Sequence, residues 1–266
     1  MKKVFQRPSS LKHVPFRFCS GCGHSLIHRL IAECIDTLGI REKVVGIAPV
    51  GCAVFAYDYF NFDVLEAAHG RPPAVATGLK RSMPDRVIFT YQGDGDLAAI
   101  GTAEIIHAAN RGENISVFFV NNATYGMTGG QMAPTTVPGQ KTSTTPSGRD
   151  AKVAGYPLRV AELMSTIEGA SYIVRTSVDS YKNLISTKRA IEKSFRYQME
   201  GRGFSLVEIL SPCPVDWGLT PRDSIKWLQK EMMSVFPLGT FKDKFSEHRL
   251  DNQHSKEGEN WKKELL

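Results

Sequence analysis

The sequence predicts an α/β protein: a doubly wound, mostly parallel sheet in a single domain with a C-terminal extension. Three observations carry that prediction. The segments "RVIFTYQGDG", "ISVFFVNN" and "FSLVEIL" are mostly apolar without strict polar alternation, as strands are when helices cover both faces of a parallel sheet. Segments with apolar residues at helical spacing alternate with them. Loops carrying glycine, asparagine or proline follow the strands, where crossover connections begin.

In chain order, "RPSSLKHVPF" is an irregular lead-in. Residues 25–38 repeat Leu26, Leu30, Ile31, Cys34, Ile35 and Leu38 at helical spacing, and Gly39 stops the helix. "KVVGIAPVGC" is a strand running into a Gly-Pro loop. "AAHGRPPAVATGLKRSM" opens as a turn and continues as a small-residue helix, with Pro73 suited to its first turn. "RVIFTYQGDG" is a strand, residues 97–110 a helix and "ISVFFVNN" a strand. Residues 123–154 turn polar and rich in Gly, Thr and Pro, and a loop of that length inside a compact domain is usually functional. The alternation then resumes with a helix over 158–168, the strand "SYIVRT", a helix over 181–199 and the strand "FSLVEIL", followed by the loop "SPCPVDWG". No repeat or linker divides residues 1–220. Residues 221–266 add one helix over 224–233 and a polar tail, an extension suited to contacting a partner.

The chain has 266 residues, 42% hydrophobic and 23% charged, enough for a sizeable core. No apolar run approaches the roughly 18 residues that span a membrane. The start "MKKVFQRPSS" lacks the apolar stretch of a signal peptide, so a cytoplasmic location is expected. The net charge of +6 is spread along the chain without a nucleic-acid-binding signature. A mildly basic surface suits a diphosphate ligand or an acidic protein partner instead. Five cysteines, Cys19, Cys22, Cys34, Cys52 and Cys213, are too few and too scattered for a disulfide framework. A C-x-x-C in a cytosolic chain suggests a metal, a cluster or redox chemistry.

Gly93-Asp94-Gly95-Asp96-Leu97-Ala98 follows a strand, opens a helix and fits the relaxed dinucleotide fingerprint G-x-G-x-x-A. Two features oppose a nicotinamide site. Asp94 would set negative charge against a pyrophosphate, and the next strand ends in Asn121 and Asn122 where a ribose-binding acid belongs. A magnesium ion bridging a diphosphate answers both, because it takes a carboxylate, an amide carbonyl, a backbone carbonyl and phosphate oxygens. Parallel strands deliver their carboxyl ends to one edge, so Asp94 and the Asn pair meet there. Gly93 and Gly95 let the backbone come close, and the N-terminus of the following helix favours phosphate. The structural alternatives are a helix N-cap for Asp94 and a turn for Asn122.

Cys19 and Cys22 in "CSGCGH" occupy a turn that lets two thiolates face one metal. Cys52 in "VGCA" and Cys213 in "SPCP" each follow a predicted strand and so reach the edge that carries Asp94. Four thiolates gathered there suit a [4Fe-4S] cluster or zinc, and spacing does not separate the two. Cys34 lies on the apolar face of its helix and reads as core.

The G-D-G with its double Asn resembles the diphosphate-binding motif of thiamine diphosphate enzymes. Taken with "CSGCGH", "PVGC", "AAHGR", "ATG", "GTAE", "NNATYGMTGGQ" and "SPCP", residues 18–217 resemble the β subunit of a 2-oxoacid:ferredoxin oxidoreductase. The resemblance implies a thiamine diphosphate-binding fold over residues 1–220, which also carry the cluster loops. It implies Mg2+ held by Asp94, Asn122 and the Thr124 carbonyl, and a [4Fe-4S] cluster held by Cys19, Cys22, Cys52 and Cys213. Thiamine diphosphate contacts are implied for Val50, Gly51, Cys52, Ala53, His69, Gly70 and Arg71. They are also implied for Gly93, Asp94, Gly95, Asp96, Asn122, Tyr125, Gly126, Met127 and Thr128, with His24 a further candidate.

The implied reaction is the coenzyme A-dependent oxidative decarboxylation of a 2-oxoacid, either 2-oxoisovalerate-like or 2-oxoglutarate, with electrons passed to ferredoxin. That step needs a one-electron acceptor, which zinc is not. In the family the activating glutamate and much of the substrate contact come from an α partner. No catalytic residue is therefore assigned here, and the chain alone is expected to be inactive. It also lacks the cysteine runs of ferredoxin-type domains. Electrons are then expected to leave through a separate γ- or δ-type subunit, with a large apolar area hidden in the complex. The alternatives are a non-oxidative thiamine diphosphate decarboxylase or synthase subunit with structural or zinc-binding cysteines, and an assembly subunit with a dead cofactor site.

Overall fold

The structure is a computed structural model that describes residues 6–246, so the polar tail expected beyond residue 246 lies outside the described residues. The strands β1 (Val44–Ala48), β2 (Asp63–Glu66), β3 (Val87–Gly93), β4 (Ser116–Asn121), β5 (Ala170–Ser177), β6 (Phe204–Leu210) and β7 (Gly239–Asp243) form one sheet. Their order is β2-β1-β3-β4-β6-β5-β7, parallel throughout except for the antiparallel β5–β7 pair. Helix α1 (His24–Leu38) precedes β1, and the connections contain helices α2 (Ala56–Tyr59), α3 (Pro72–Ser82), α4 (Thr102–Asn110), α5 (Ala151–Ala154), α6 (Val160–Ser165), α7 (Tyr181–Met199), α8 (Pro214–Trp217), α9 (Pro221–Trp227) and α10 (Met233–Val235). This is the doubly wound α/β class.

Both faces of the sheet are covered, which is why its central strands read as apolar runs. Phe89 and Phe118 pack toward α1 and α7, and the ring of Phe118 meets Phe195 edge-on at 5.2 Å. Their neighbours Ile88, Val117 and Phe119 face the opposite way, in a core shared with α3, α4 and α6. Truncating Phe118 to alanine would cost about 3–5 kcal/mol.

Chain direction then fixes where a ligand can enter. From β1 the chain crosses to β2 on one side, and from β3 to β4 on the other. The loops after β1 and β3 therefore diverge and leave a crevice at the carboxyl edge of the sheet.

Four local features depart from the sequence expectation. The edge strands β2 and β7 were not anticipated, and β7 joins the 221–243 segment to the sheet. The helix expected over 97–110 begins as a π turn, Asp96–Ile100. The helix expected over 158–168 is shorter, Val160–Ser165. Residues 123–154 form a built loop, stapled by the buried guanidinium of Arg149. That group donates to the carbonyls of Pro134 at 3.0 Å, Thr136 at 2.6 Å and Tyr156 at 3.0 Å.

Candidate functional site

The loops after β1, β3 and β4 enclose a cavity of about 240 Å³ at the carboxyl edge. Val50, Gly51, Cys52 and Ala53 line it from the first loop, and Gly93, Asp94, Gly95 and Asp96 from the second. Asn122, Thr124, Tyr125, Gly126, Met127 and Thr128 line it from the third, joined by His24 and His69. Of the residues expected at the cofactor, Gly70 and Arg71 are not in the lining. Gly70 N donates to Asp96 Oδ1 at 2.7 Å, and Arg71 pairs with Glu104.

Asp94 is buried, and the donors it meets are neutral: the Asn122 amide N–H at 3.1 Å and the Thr135 hydroxyl. Burial is the main cause that pushes its pKa up to about 7, against the opposing effect of those hydrogen bonds. A carboxylate so placed is short of positive charge.

The Asn122 side chain reports on what could supply it. Turned one way, its amide nitrogen donates to the Thr124 carbonyl at 2.7 Å and to Asp94 Oδ1 at 3.2 Å. Turned the other way, an oxygen occupies that place and faces both of the others, an arrangement a bound cation would favour. Octahedral Mg2+ holds its oxygens at about 2.0–2.1 Å, which sets adjacent ligands roughly 2.9 Å apart. The two separations bracket that value, so Asp94, Asn122 and the Thr124 carbonyl fit the ion.

The glycines of the site serve two purposes. A Cβ on Gly93 would meet no protein atom within 4 Å, so its bare backbone borders open cavity. A Cβ on Gly95 would come within 2.9 Å of the Tyr125 ring, so that contact requires glycine.

Asp96 uses its oxygens within the protein. Oδ1 accepts from His69 Nδ1 at 2.7 Å as well as from Gly70, and Oδ2 accepts from Gln92 Nε2 at 2.6 Å. Gln92 in turn accepts from the Thr90 hydroxyl at 2.8 Å. This buried relay fixes the His69 ring by one nitrogen at the cavity wall. His24 is buried and holds Tyr91 Oη at 2.5 Å; burial, with His28 nearby, pushes its pKa down to about 3, so the ring is neutral.

All five cysteines are free thiols. Cys34 is buried in α1 and donates to the Lys188 carbonyl at 3.4 Å. The other four come together. Burial raises the Cys22 thiol to about 12, and the charges of Cys52 and Cys19 add to that rise. Burial raises Cys52 to about 11, with Asp216 and Cys19 contributing, and pushes Cys213 up, with Asp216 and Cys22 contributing. The Cys213 thiol donates to Asp216 Oδ2 at 3.1 Å, and the Trp217 indole beside it donates to the Asn122 carbonyl at 3.0 Å. Cys52 itself lines the cavity. Among the described residues no three His, Cys, Asp or Glu side chains stand at the spacing of a formed metal site. Burial, helped by neighbouring acids, raises the Cys22, Cys52 and Cys213 thiols, so those three stand protonated. Four thiols would suit a sulfur-bound metal.

Sequence reasoning did not identify Thr135, Gln92 or Glu208 in this region. Only Glu208 left a signal there, an acid inside the apolar run "FSLVEIL".

The profile of the thiamine pyrophosphate enzyme C-terminal TPP binding domain matches residues 49–209. Over 256 residues the chain is 48% identical to the ketoisovalerate oxidoreductase subunit VorA of Methanothermobacter thermautotrophicus, covering 92% of this chain and 54% of that protein. It thus spans about half the length of that relative. Over 238 residues it is 35% identical to the 2-oxoglutarate synthase subunit KorB of Methanocaldococcus jannaschii, covering 87% of this chain and 82% of that one. Among solved structures, 2-oxoglutarate:ferredoxin oxidoreductase from Magnetococcus marinus with 2-oxoglutarate, coenzyme A and succinyl-CoA bound aligns with a TM-score of 0.72 at 25% identity. That alignment covers 97% of this chain and 92% of the other. The matched profile begins in the loop after β1 and ends in β6, so it contains all three loops of the cavity. By sequence and by fold, the chain belongs to the thiamine diphosphate-binding β subunits of the 2-oxoacid:ferredoxin oxidoreductases.

Proposed function

We propose that the chain holds Mg2+-thiamine diphosphate and a [4Fe-4S] cluster for the coenzyme A-dependent oxidative decarboxylation of a 2-oxoacid, with ferredoxin as electron acceptor. The convergence of Asp94, Asn122 and the Thr124 carbonyl beside four thiols carries this reading. The identity to a ketoisovalerate oxidoreductase subunit favours a branched-chain 2-oxoacid over 2-oxoglutarate. α and γ/δ-type subunits would complete the complex, the first bringing the activating glutamate and much of the substrate site. No acid or base is assigned to this chain.

Bound thiamine diphosphate would supply the nucleophilic carbon and electron sink for loss of CO2, and the cluster would take electrons singly. The chain's own residues prepare for that chemistry. Asp94 would give its carboxylate to the ion once its proton leaves, with Asn122 and Thr124 adding neutral oxygens. Gly93 would let the diphosphate approach the backbone, and Asp96 keeps the His69 ring fixed at the wall. Cys19, Cys22, Cys52 and Cys213 would hold the cluster as thiolates; binding the metal offsets the cost of ionising them.

The test is anaerobic purification of the complex, followed by assay against a panel of 2-oxoacids with coenzyme A and a viologen dye. A brown protein absorbing near ~400 nm that reduces the dye with 2-oxoisovalerate is the expected result. A colourless complex with one bound zinc that releases CO2 without reducing the dye would establish the non-oxidative alternative instead.

A further inference from the structure

Beside the oxygen site runs a buried ionic network that the cofactor reading leaves unused. Glu208 sits in the middle of β6 and is wholly buried, where a lone carboxylate would be costly. Its Oε1 accepts from Asn121 Nδ2 at 2.7 Å and its Oε2 from Ala161 N at 3.2 Å. Arg175 of β5, also buried, brings Nε to 3.0 Å from Oε2. That guanidinium is anchored by Glu162 at 2.5 Å and by the Pro237 carbonyl at 3.1 Å. It also lies over the rings of Phe236 and Phe241.

The network ends on the turn that carries the cation ligands. Asn121 Oδ1 accepts from Ala123 N at 3.2 Å. Ala123 has φ 58°, the one non-glycine in the left-handed region among the described residues. A side chain makes that conformation unfavourable, so something must hold it. Asn121 holds its N–H, while Thr136 at 2.7 Å and Gln140 at 3.1 Å hold its carbonyl. On either side of Ala123 stand Asn122, whose side chain reaches Asp94, and Thr124, whose carbonyl that same side chain meets.

We infer that Glu208, anchored by Arg175, is a positioning residue for the cation site. Through Asn121 it holds Ala123 left-handed, and so sets the spacing of the Asn122 and Thr124 oxygens against Asp94. This inference rests on the magnesium reading above.

The experiment titrates Mg2+ into the full chain at saturating thiamine diphosphate, read by calorimetry, with melting temperatures taken on the metal-free proteins. Glu208→Gln is expected to weaken Mg2+ binding by about 10- to 100-fold, the usual effect of losing a residue that orients a ligand. Asn121→Asp sets two carboxylates together and should weaken it likewise. The double variant Asn121→Asp/Glu208→Gln exchanges donor for acceptor and rebuilds the bridge, so most of the loss is recovered. Glu113→Gln removes a carboxylate paired with Arg81 and Arg111, outside the cavity lining. It should lower the melting temperature and leave Mg2+ affinity as it is.

Wild-type affinity in Glu208→Gln, or a double variant that binds no better than Asn121→Asp, overturns the inference. If Glu208→Gln does not fold, the comparison of the double variant with Asn121→Asp decides alone. An Asp94→Asn variant that binds Mg2+ as well as the wild type would sink the magnesium reading itself, and this inference with it.

Discussion

Asp94 shows how a single side chain ties the ion to pH. Burial has lifted its pKa to about 7, so in the metal-free protein the proton is present below that pH and absent above it. A divalent ion needs the ionised carboxylate and must displace the proton first. Mg2+ affinity should therefore fall as pH drops below about 7, by up to about tenfold per unit, and level off above it. At about pH 6 each ion bound should release most of one proton. Calorimetry of Mg2+ binding in two buffers of different ionisation enthalpy measures that release directly; equal apparent heats would show that Asp94 is not the ligand. Asp94 and Asn122 were legible because both fall inside one motif at two strand ends. Thr135 was not, since it reaches Asp94 from 41 residues further along, through a loop with no period to read. Asp96 was legible as part of the site, but its engagement with His69, Gly70 and Gln92 depends on how three segments pack.

The elements differ in how plainly their residues announce them. The central strands β3, β4 and β6 were readable because burial on both faces demands apolar runs. The edge strand β2, "DVLE", is largely exposed, and β7, "GTFKD", is covered only in part. Neither needs such a run, and only the sheet edge beside it makes either one a strand. Cysteines divide by element in the same way. Cys34 belongs to a core helix, whereas Cys19, Cys22, Cys52 and Cys213 come from three loops that meet at one edge. Serine at any one of those four should therefore abolish or sharply reduce the visible absorbance and iron content of the anaerobically purified complex. Cys34→Ala should keep both and lose about 1–2 kcal/mol of stability. Parallel iron analysis and thermal melts separate the outcomes; unchanged iron in Cys213→Ser would remove that thiol from the ligand set.

At the scale of the whole molecule, the cavity would be half of a site if the α partner proposed above completes it. Its rim carries Val50, Ile100 and Met127 at 40%, 50% and 44% exposure, side chains that gain from being covered. The relative VorA is about twice as long as the aligned segment. Cofactor binding and turnover should then separate. The protein oxygens that would hold the ion all come from this chain, so the isolated protein should bind Mg2+-thiamine diphosphate with affinity close to that of the complex. Turnover needs a carboxylic acid at the cofactor, and Asp94 would be committed to the ion while Asp96 is committed to His69, Gly70 and Gln92. The isolated chain should therefore oxidise no 2-oxoacid, and adding the partner subunit should restore dye reduction in proportion to the complex formed. Calorimetry and a viologen assay on one preparation, before and after that addition, measure both. Turnover by the isolated chain would place the missing acid within these 266 residues and end the case for a shared active site.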